Sequence, residues 1–249
     1  MMLRNQVVIV TGASRGLGCA MALMLAKQGA KVVAAARTTM TTRDSPHTLD
    51  AVVRSIEAEG GTALAVPVDV RDEAQVQAMV ERVLEHYRRV DVLVNNAGLM
   101  VGDVAFIDTT PTLWREIVDT NLWGAFLCCR AVVPIMIKQG KGVIVNITSG
   151  AAVRTGFLNL PYGVSKAGLD RLTLGLGAEL KSYGIACLSL SPSVSATDTV
   201  RRMYPHQNVN DWAKPPELTA QALCTLLEED PMEYTGQVLS VREYLKRGS

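Results

Sequence analysis

Within Tyr162-Gly-Val-Ser-Lys166 a phenol and an amine stand four positions apart. On a helix that interval places both on one face, one turn above the other. A free tyrosine, with a pKa of about 10, is too weak an acid to exchange protons at neutral pH. An ammonium at roughly 4 Å, at an effective dielectric of about 20, would favour the phenolate by up to about 4 kcal/mol, or about three pKa units at most. That would bring Tyr162 into the working range of a general acid or base. The same spacing also arises where a half-buried tyrosine stands beside a solvated lysine. The rest of the chain has to decide between the two.

The pair needs a helix to hold it, and Pro161 to Tyr183 reads as one. A proline starts it, and leucines at 169, 172, 176 and 180 mark its buried stripe. Ser149 stands upstream, where an apolar strand from Val143 to Ile147 ends in Thr148-Ser149. Near the N-terminus Val7 to Val10 forms a short strand, followed directly by Thr11-Gly-Ala-Ser-Arg-Gly-Leu-Gly18 and a helix to about Gln28, stopped by Gly29. Strand, glycine-rich turn and helix open a dinucleotide-binding βαβ unit. Gly12, Ser14, Arg15, Gly16, Leu17 and Gly18 are therefore candidate phosphate-binding positions, where a pyrophosphate would meet the helix N-terminus.

The second strand, Lys31 to Ala36, ends at Arg37. A site for NAD(H) would place an Asp or Glu here to bind the ribose 2′-hydroxyl. Ala36 stands near that place instead. With Arg37 next to it and Arg15 in the glycine turn, two guanidiniums and no carboxylate suit a 2′-phosphate, so NADP(H) is favoured over NAD(H).

Thr38 to His47 is polar and reads as a loop, and Leu49, Val52, Val53 and Ile56 then stripe a helix. A strand from Ala63 to Val68 ends at Asp69-Val70. A helix from Glu73 to about Arg88 precedes a strand from Val92 to Val94, which ends at Asn95-Asn-Ala-Gly98. A long helical segment reaches about Lys138 and contains Asn121, whose side chain competes with helical hydrogen bonding; it marks either a surface position or a local distortion. Ile185 to Leu190 is a further strand ending at Ser191-Pro192-Ser193. Residues 194–215 read as a covering loop or lid, and a helix from Leu218 to Glu228 with a strand from Gln237 to Val241 completes the chain. Apolar strands alternating with helices predict an α/β fold: a single Rossmann-type, doubly wound parallel sheet with helices on both faces, in one domain spanning residues 1–249. Ligands in such sheets bind beyond the strand C-termini, where Asp69, Asn95 and Gly98 fall.

Charge is balanced, 25 basic against 24 acidic side chains, which gives no basic surplus for nucleic acid and no cationic tract for a membrane surface. No apolar run approaches the roughly 20 residues of a membrane span. The five cysteines form no C-x-x-C pair and no metal spacing, so no metal is expected. Their odd number, with Cys128 and Cys129 inside an apolar helical run, points to buried thiols in a reducing compartment, and cytoplasmic is the expected location.

With these motifs in order, the chain resembles the short-chain dehydrogenase/reductase family, in its compact single-domain branch, over essentially its whole length. T-G-x-x-x-G-x-G falls on Thr11 to Gly18, N-N-A-G on Asn95 to Gly98, and the catalytic Asn, Ser, Tyr and Lys on Asn121, Ser149, Tyr162 and Lys166. The resemblance implies hydride transfer between a nicotinamide and a carbonyl carbon while Tyr162 exchanges a proton with the oxygen. It implies that Ser149 stabilises that oxygen, that Lys166 lowers the tyrosine pKa and binds the nicotinamide ribose, and that Asn121 holds a water in a proton relay. It places Asp69 and Val70 beside the adenine, Asn95, Ala97 and Gly98 along the cofactor, and Pro192 and Thr197 near the nicotinamide. It also implies a homotetramer or dimer packed through the helices carrying Asn121 and Tyr162.

Two stretches depart from the family pattern. Pro192-Ser193 replaces the usual Pro-Gly, and Thr235-Gly-Gln-Val-Leu-Ser-Val-Arg-Glu replaces a strand ending in Val-Asp-Gly-Gly. That ending and the Thr38–His47 extension more closely resemble hydroxysteroid-dehydrogenase-like relatives. Apolar residues flank the site at Leu99, Met100, Val101, Ala151, Val153, Phe157, Leu158 and Val194, so a neutral, fairly apolar ketone, aldehyde or secondary alcohol is expected as substrate. A cofactor-binding sensor or scaffold with little turnover is the alternative; an epimerase of the family's larger branch would need a substrate domain for which the sheet leaves no room.

Overall fold

Alternation along the strands builds two cores, one on each face of a sheet. In β1 (Val7–Thr11), Val8 and Val10 face one way and Val7 and Ile9 the other, all of them fully buried. β2 (Lys31–Ala36) continues the pattern, with Val32 and Ala34 on the first face and Val33 and Ala35 on the second. The first face is covered by α1 (Gly16–Lys27), α2 (Leu49–Ala58) and α8 (Pro216–Glu228), through residues such as Met21, Leu25, Leu49, Leu223 and Leu226. The second is covered by α3 (Glu73–Tyr87), α5 (Gly124–Gln139) and α6 (Leu160–Leu180), through Val76, Met79, Leu127, Val132 and Leu180. Apolar side chains on both faces explain why the strands read as continuous hydrophobic runs.

The computed structural model describes residues 3–37, 48–156 and 159–247. Its remaining strands are β3 (Thr62–Pro67), β4 (Val92–Asn95), β5 (Gly142–Ile147), β6 (Ile185–Ser191) and β7 (Val238–Ser240). All pair in parallel, in the order β3-β2-β1-β4-β5-β6-β7. This is the Rossmann-type doubly wound sheet expected from the sequence. The order reverses between β1 and β4, the crevice where such sheets bind ligands. The Thr38–His47 loop lies outside the described residues.

Local signals set the helix starts. Thr48 accepts from Ala51 N at α2 and Asp72 from Gln75 N at α3, and Thr110 accepts from Leu113 N at α4 (Pro111–Val118). Asn159 caps α6 by accepting from Tyr162 N, so the cap fixes the first turn that carries the tyrosine.

The structure differs from expectation at three elements. Residues 111–139 form one unbroken helical run, joined by a π turn at Asp119–Trp123, and an 18-residue window of it has a mean hydropathy of 1.5. By length and composition that run could cross a bilayer, contrary to the sequence reading; in this fold it packs against the sheet and α6, with 44% of the window buried. β7 is only Val238–Ser240, because the chain turns into α9 (Val241–Arg247) where a longer strand was expected. The 194–215 segment, read from the sequence as a covering loop or lid, contains regular structure: α7 (Asp198–Met203) and a one-residue bridge between Ser195 and Lys214.

Candidate active site

The C-terminal ends of β1 to β4 open onto a cleft of about 220 Å³. Its floor is the glycine turn. Gly12 sits at φ +67° and Gly16 at φ +57°, conformations that favour glycine. A Cβ on Gly12 would come within 2.9 Å of Ala97 Cα, and one on Gly18 within 2.3 Å of the Gly12 carbonyl oxygen. Asn96 anchors this close approach: its side-chain amide donates to Thr11 O at 2.8 Å, while Thr11 Oγ1 accepts from the backbone N–H of Asn96 and of Ala97, each at 3.0 Å. The first turn of α1 holds no acidic residue, and the Arg15 side chain does not cap it. Its N–H groups therefore face the cleft with the positive end of the helix dipole behind them.

Gly12, Ser14, Arg15, Gly16, Leu17, Gly18, Arg37, Asp69, Val70, Ala97, Gly98 and Thr197 all line this cleft. Asn96, Thr120 and Thr199 line it too and were not expected. Asn95 does not join them. At 4% exposure its side chain turns into the second core, donating to Asn146 Oδ1 at 2.9 Å and to Cys129 Sγ at 3.3 Å. Neighbouring residues at a strand end point to opposite faces, so Asn96 and not Asn95 presents its amide to the glycine turn. Asp69 is held by a bidentate pair with Arg71, at 2.5 Å for the shortest contact, and that guanidinium keeps its carboxyl below the usual range. Arg15 and Arg37 are both exposed at the cleft wall.

A second cavity, of about 780 Å³, adjoins the cleft through Leu17, Asn96, Gly98 and Thr197. Ser149, Tyr162, Lys166 and Pro192 line it together. β5 delivers Ser149 and α6 delivers the other two reactive groups. The Ser149 hydroxyl is hydrogen-bonded to Tyr162, which draws the phenol's pKa down, but burial is the larger influence and holds it above its ordinary value. Lys166, expected to lower the tyrosine pKa, is not among these influences. The ammonium lies over the phenol ring, 5.8 Å from its centroid, and donates instead to Ile147 O at 2.8 Å. Lys166 is 4% exposed, and burial lowers its pKa to about 8.

Asn121 sits in the π turn and is 1% exposed, so it is the local distortion and not a surface residue. Its Oδ1 accepts from Leu99 N at 2.6 Å, and its Nδ2 donates to Leu99 O and to Ser165 Oγ, both at 3.0 Å. It thus ties the loop after β4 to the helix carrying Tyr162. Of the expected apolar lining, Met100, Ala151 and Val194 face the second cavity. Leu99 and Val101 are not on its wall, Val153 is 84% exposed, and Phe157 and Leu158 lie outside the described residues. Met203, Tyr204 and Trp212, from the 194–215 segment, complete the wall. The two aromatics stack edge to face with centroids 5.3 Å apart, and Ser193, where the family pattern has glycine, also lines the cavity.

Residues 6–208 match the family profile described as short chain dehydrogenase. The chain belongs to the short-chain dehydrogenase family. This short-chain dehydrogenase is 39% identical over 201 residues to a 3-oxoacyl-[acyl-carrier-protein] reductase of Synechocystis, a match covering 81% of this chain and 78% of that protein. It is 36% identical over 192 residues to the reductase of the same name from Staphylococcus aureus, covering 76% and 74% of the two chains. Among solved structures it resembles a chain described as an NAD(P)-dependent gluconate 5-dehydrogenase from Beutenbergia cavernae, which holds NADP at low occupancy. That match has a TM-score of 0.85 at 30% identity and covers 96% of both chains. As a member of this family the protein is an oxidoreductase acting on small molecules.

Proposed function

We propose that this short-chain dehydrogenase uses NADP(H) to interconvert a carbonyl compound and its alcohol. The observation that carries the reading is convergence: Ser149, Tyr162 and Lys166 line one cavity, and that cavity opens into the glycine-floored cleft. The cleft fits a dinucleotide, because its glycines stand where a Cβ would collide and its helix N-terminus has donors free for a pyrophosphate. Gly12, Ser14, Gly16, Leu17 and Gly18 would hold the diphosphate, and Asp69, Val70, Ala97 and Gly98 would line the adenosine end. Thr197 and Pro192 would line the end towards Tyr162. When bound, the nicotinamide supplies or accepts the hydride.

The protein's own part is position and protons. Tyr162 exchanges its phenolic proton with the substrate oxygen, and Ser149 holds that oxygen by the hydroxyl that now bonds the tyrosine. Lys166, fixed to the Ile147 carbonyl beneath the phenol, stabilises negative charge on Tyr162 as the proton leaves. Asn121 holds the loop after β4 against α6, so the two halves of the site keep their spacing. Arg15 and Arg37, exposed on the cleft wall with no acid at position 36, support a 2′-phosphate and hence NADP(H).

The walls supplied by Met100, Val194, Val200, Met203, Tyr204 and Trp212 favour a fairly apolar substrate. The named relatives widen the panel worth testing to 3-oxoacyl thioesters and ketogluconates. Turnover of NADPH with an apolar ketone, faster than with either of those, is the expected result. Preference for a charged sugar acid would overturn the substrate class.

Association is proposed through α4, α5 and α6. Leu122, Trp123, Phe126, Leu172 and Leu176 line an apolar groove there, with Gly168 and Gly175 keeping its floor low, and Trp123 is 45% exposed. A second copy covering that groove would make the homodimer or homotetramer; light scattering that finds a monomer at micromolar concentration would refute it. The thiols at Cys128, Cys129, Cys187 and Cys224 are free and buried, which supports the cytoplasmic placement proposed for this enzyme.

A further inference from the structure

One turn beyond Lys166 on α6 stands Asp170, a carboxylate that the proposed proton transfer does not use. Its Oδ1 is shut off from solvent and has no hydrogen-bond partner among the described residues. A buried acceptor left open is costly, so a folded protein that retains one calls for an explanation. The groups around it are neutral. Thr148, after β5, and Ser189, on β6, are near enough for their hydroxyls to draw the carboxyl's pKa down against the larger effect of burial. Ser189 Oγ lies 2.8 Å from Thr173 Oγ1, which accepts from Asn146 Nδ2 at 2.8 Å, and Asn146 accepts in turn from Asn95 Nδ2 at 2.9 Å. Cys129 and Cys187 adjoin this network as thiols that burial keeps protonated. On the π turn, Asn121 is uncharged. Among the described residues Lys166 is the charged group acting on Asp170, and Asp170 is the charged group acting on Lys166.

We infer that Asp170 is a positioning residue that acts through Lys166, its carboxylate keeping the amine charged and aimed at the Ile147 carbonyl beneath Tyr162. Burial works against an ammonium here, and among the described residues its hydrogen bond goes to the Ile147 carbonyl. A counter-charge one turn along the same helix offsets that penalty without occupying the substrate cavity, whose wall does not include Asp170. Burial raises the pKa of the Asp170 carboxyl, and the hydroxyls of Thr148 and Ser189 and the charge of Lys166 act against that rise, towards the ionised carboxylate.

The kinetic arm rests on the reductase reading; the spectroscopic arm does not. In carbonyl reduction, Asp170→Asn keeps the shape and removes the charge, so Lys166 and Tyr162 should each lose their protons more easily. The alkaline limb of kcat/KM against pH should move down by about one unit. A limb superimposable on wild type would overturn the inference, since a merely structural role would change stability and leave the limb in place. Carboxyl carbon NMR on unliganded protein tests the same coupling without substrate. The Asp170 titration midpoint should rise in Lys166→Met relative to wild type, and an unchanged midpoint would overturn the inference even if Asp170→Asn does not fold. If no carbonyl is turned over but the midpoint rises, the reductase reading fails and Asp170 keeps its role.

Discussion

Asn121, in the π turn between α4 and α5, donates from its side-chain amide to the hydroxyl of Ser165 on α6 at 3.0 Å. Ser165 donates onward to the carbonyl oxygen of Tyr162 at 2.7 Å, so the distortion in one helix is bonded to the first turn of the other. Both side chains are buried, and a helical π turn is an unfavourable conformation held by such partners. Asn121→Ala removes the bonds that Asn121 makes to Leu99 N, Leu99 O and Ser165 Oγ. It should lower stability by about 1–3 kcal/mol in urea unfolding, and lower kcat more than it raises KM for the cofactor.

Gly18 allows no side chain. A Cβ there would stand 2.3 Å from the Gly12 carbonyl oxygen and 2.5 Å from the Asn96 amide nitrogen. Gly18→Ala must push the glycine turn away from α1, and NADPH affinity should fall at least about tenfold by fluorescence titration. Gly60→Ala is the contrasting variant: no atom lies within 4 Å of its Cβ, its φ of +79° brings only local strain, and cofactor affinity should stay at the wild-type value.

The cofactor choice rests on Arg37, exposed on the cleft wall. Arg37→Ala should weaken NADPH by about tenfold or more and leave NADH almost unchanged, as a lost charge-assisted contact to the 2′-phosphate requires. Equal loss for both cofactors would place Arg37 elsewhere on the dinucleotide.

Lys166 also leaves a mark on stability against pH. Its pKa in the folded protein is about 8, below the ordinary lysine value of 10.5. Between those two values the unfolded chain binds the proton and the folded chain does not, so this group makes stability rise with pH across that window. Below about 8 both states are protonated and the burial penalty is fully present. Tyr162, shifted the opposite way, disfavours folding only once pH passes the ordinary tyrosine value. Urea unfolding at pH 8 and pH 10 should therefore show a rise in wild type relative to Lys166→Met.

Much of this architecture was legible before any coordinates. Val8 and Val10 against Val7 and Ile9 are interleaved in the sequence as a doubly wound sheet demands, and the glycine turn, Tyr162 and Lys166 carry fixed local spacing. What was not legible depends on neighbours far along the chain. Asn95 and Asn96 are adjacent and chemically identical, and only the register of β4 decides which faces the cleft. The acceptor for Lys166 is a backbone carbonyl on β5, which no side-chain pattern announces. The shortening of β7 had a local signal that the strand reading passed over, since Val241-Arg-Glu-Tyr-Leu-Lys-Arg247 suits a helix equally well. Tyr244 then secures that helix by donating to Glu229 at 2.8 Å.

Tyr162→Phe asks whether Tyr162 exchanges a proton with a carbonyl oxygen. NADPH oxidation with an apolar ketone would be followed for wild type and variant, with cofactor affinity measured by fluorescence on the same samples. Unchanged NADPH binding with kcat reduced by about a thousandfold or more is the predicted result, consistent with the loss of a general acid. A variant that binds NADPH and still reduces the ketone within about tenfold of wild type would contradict the account.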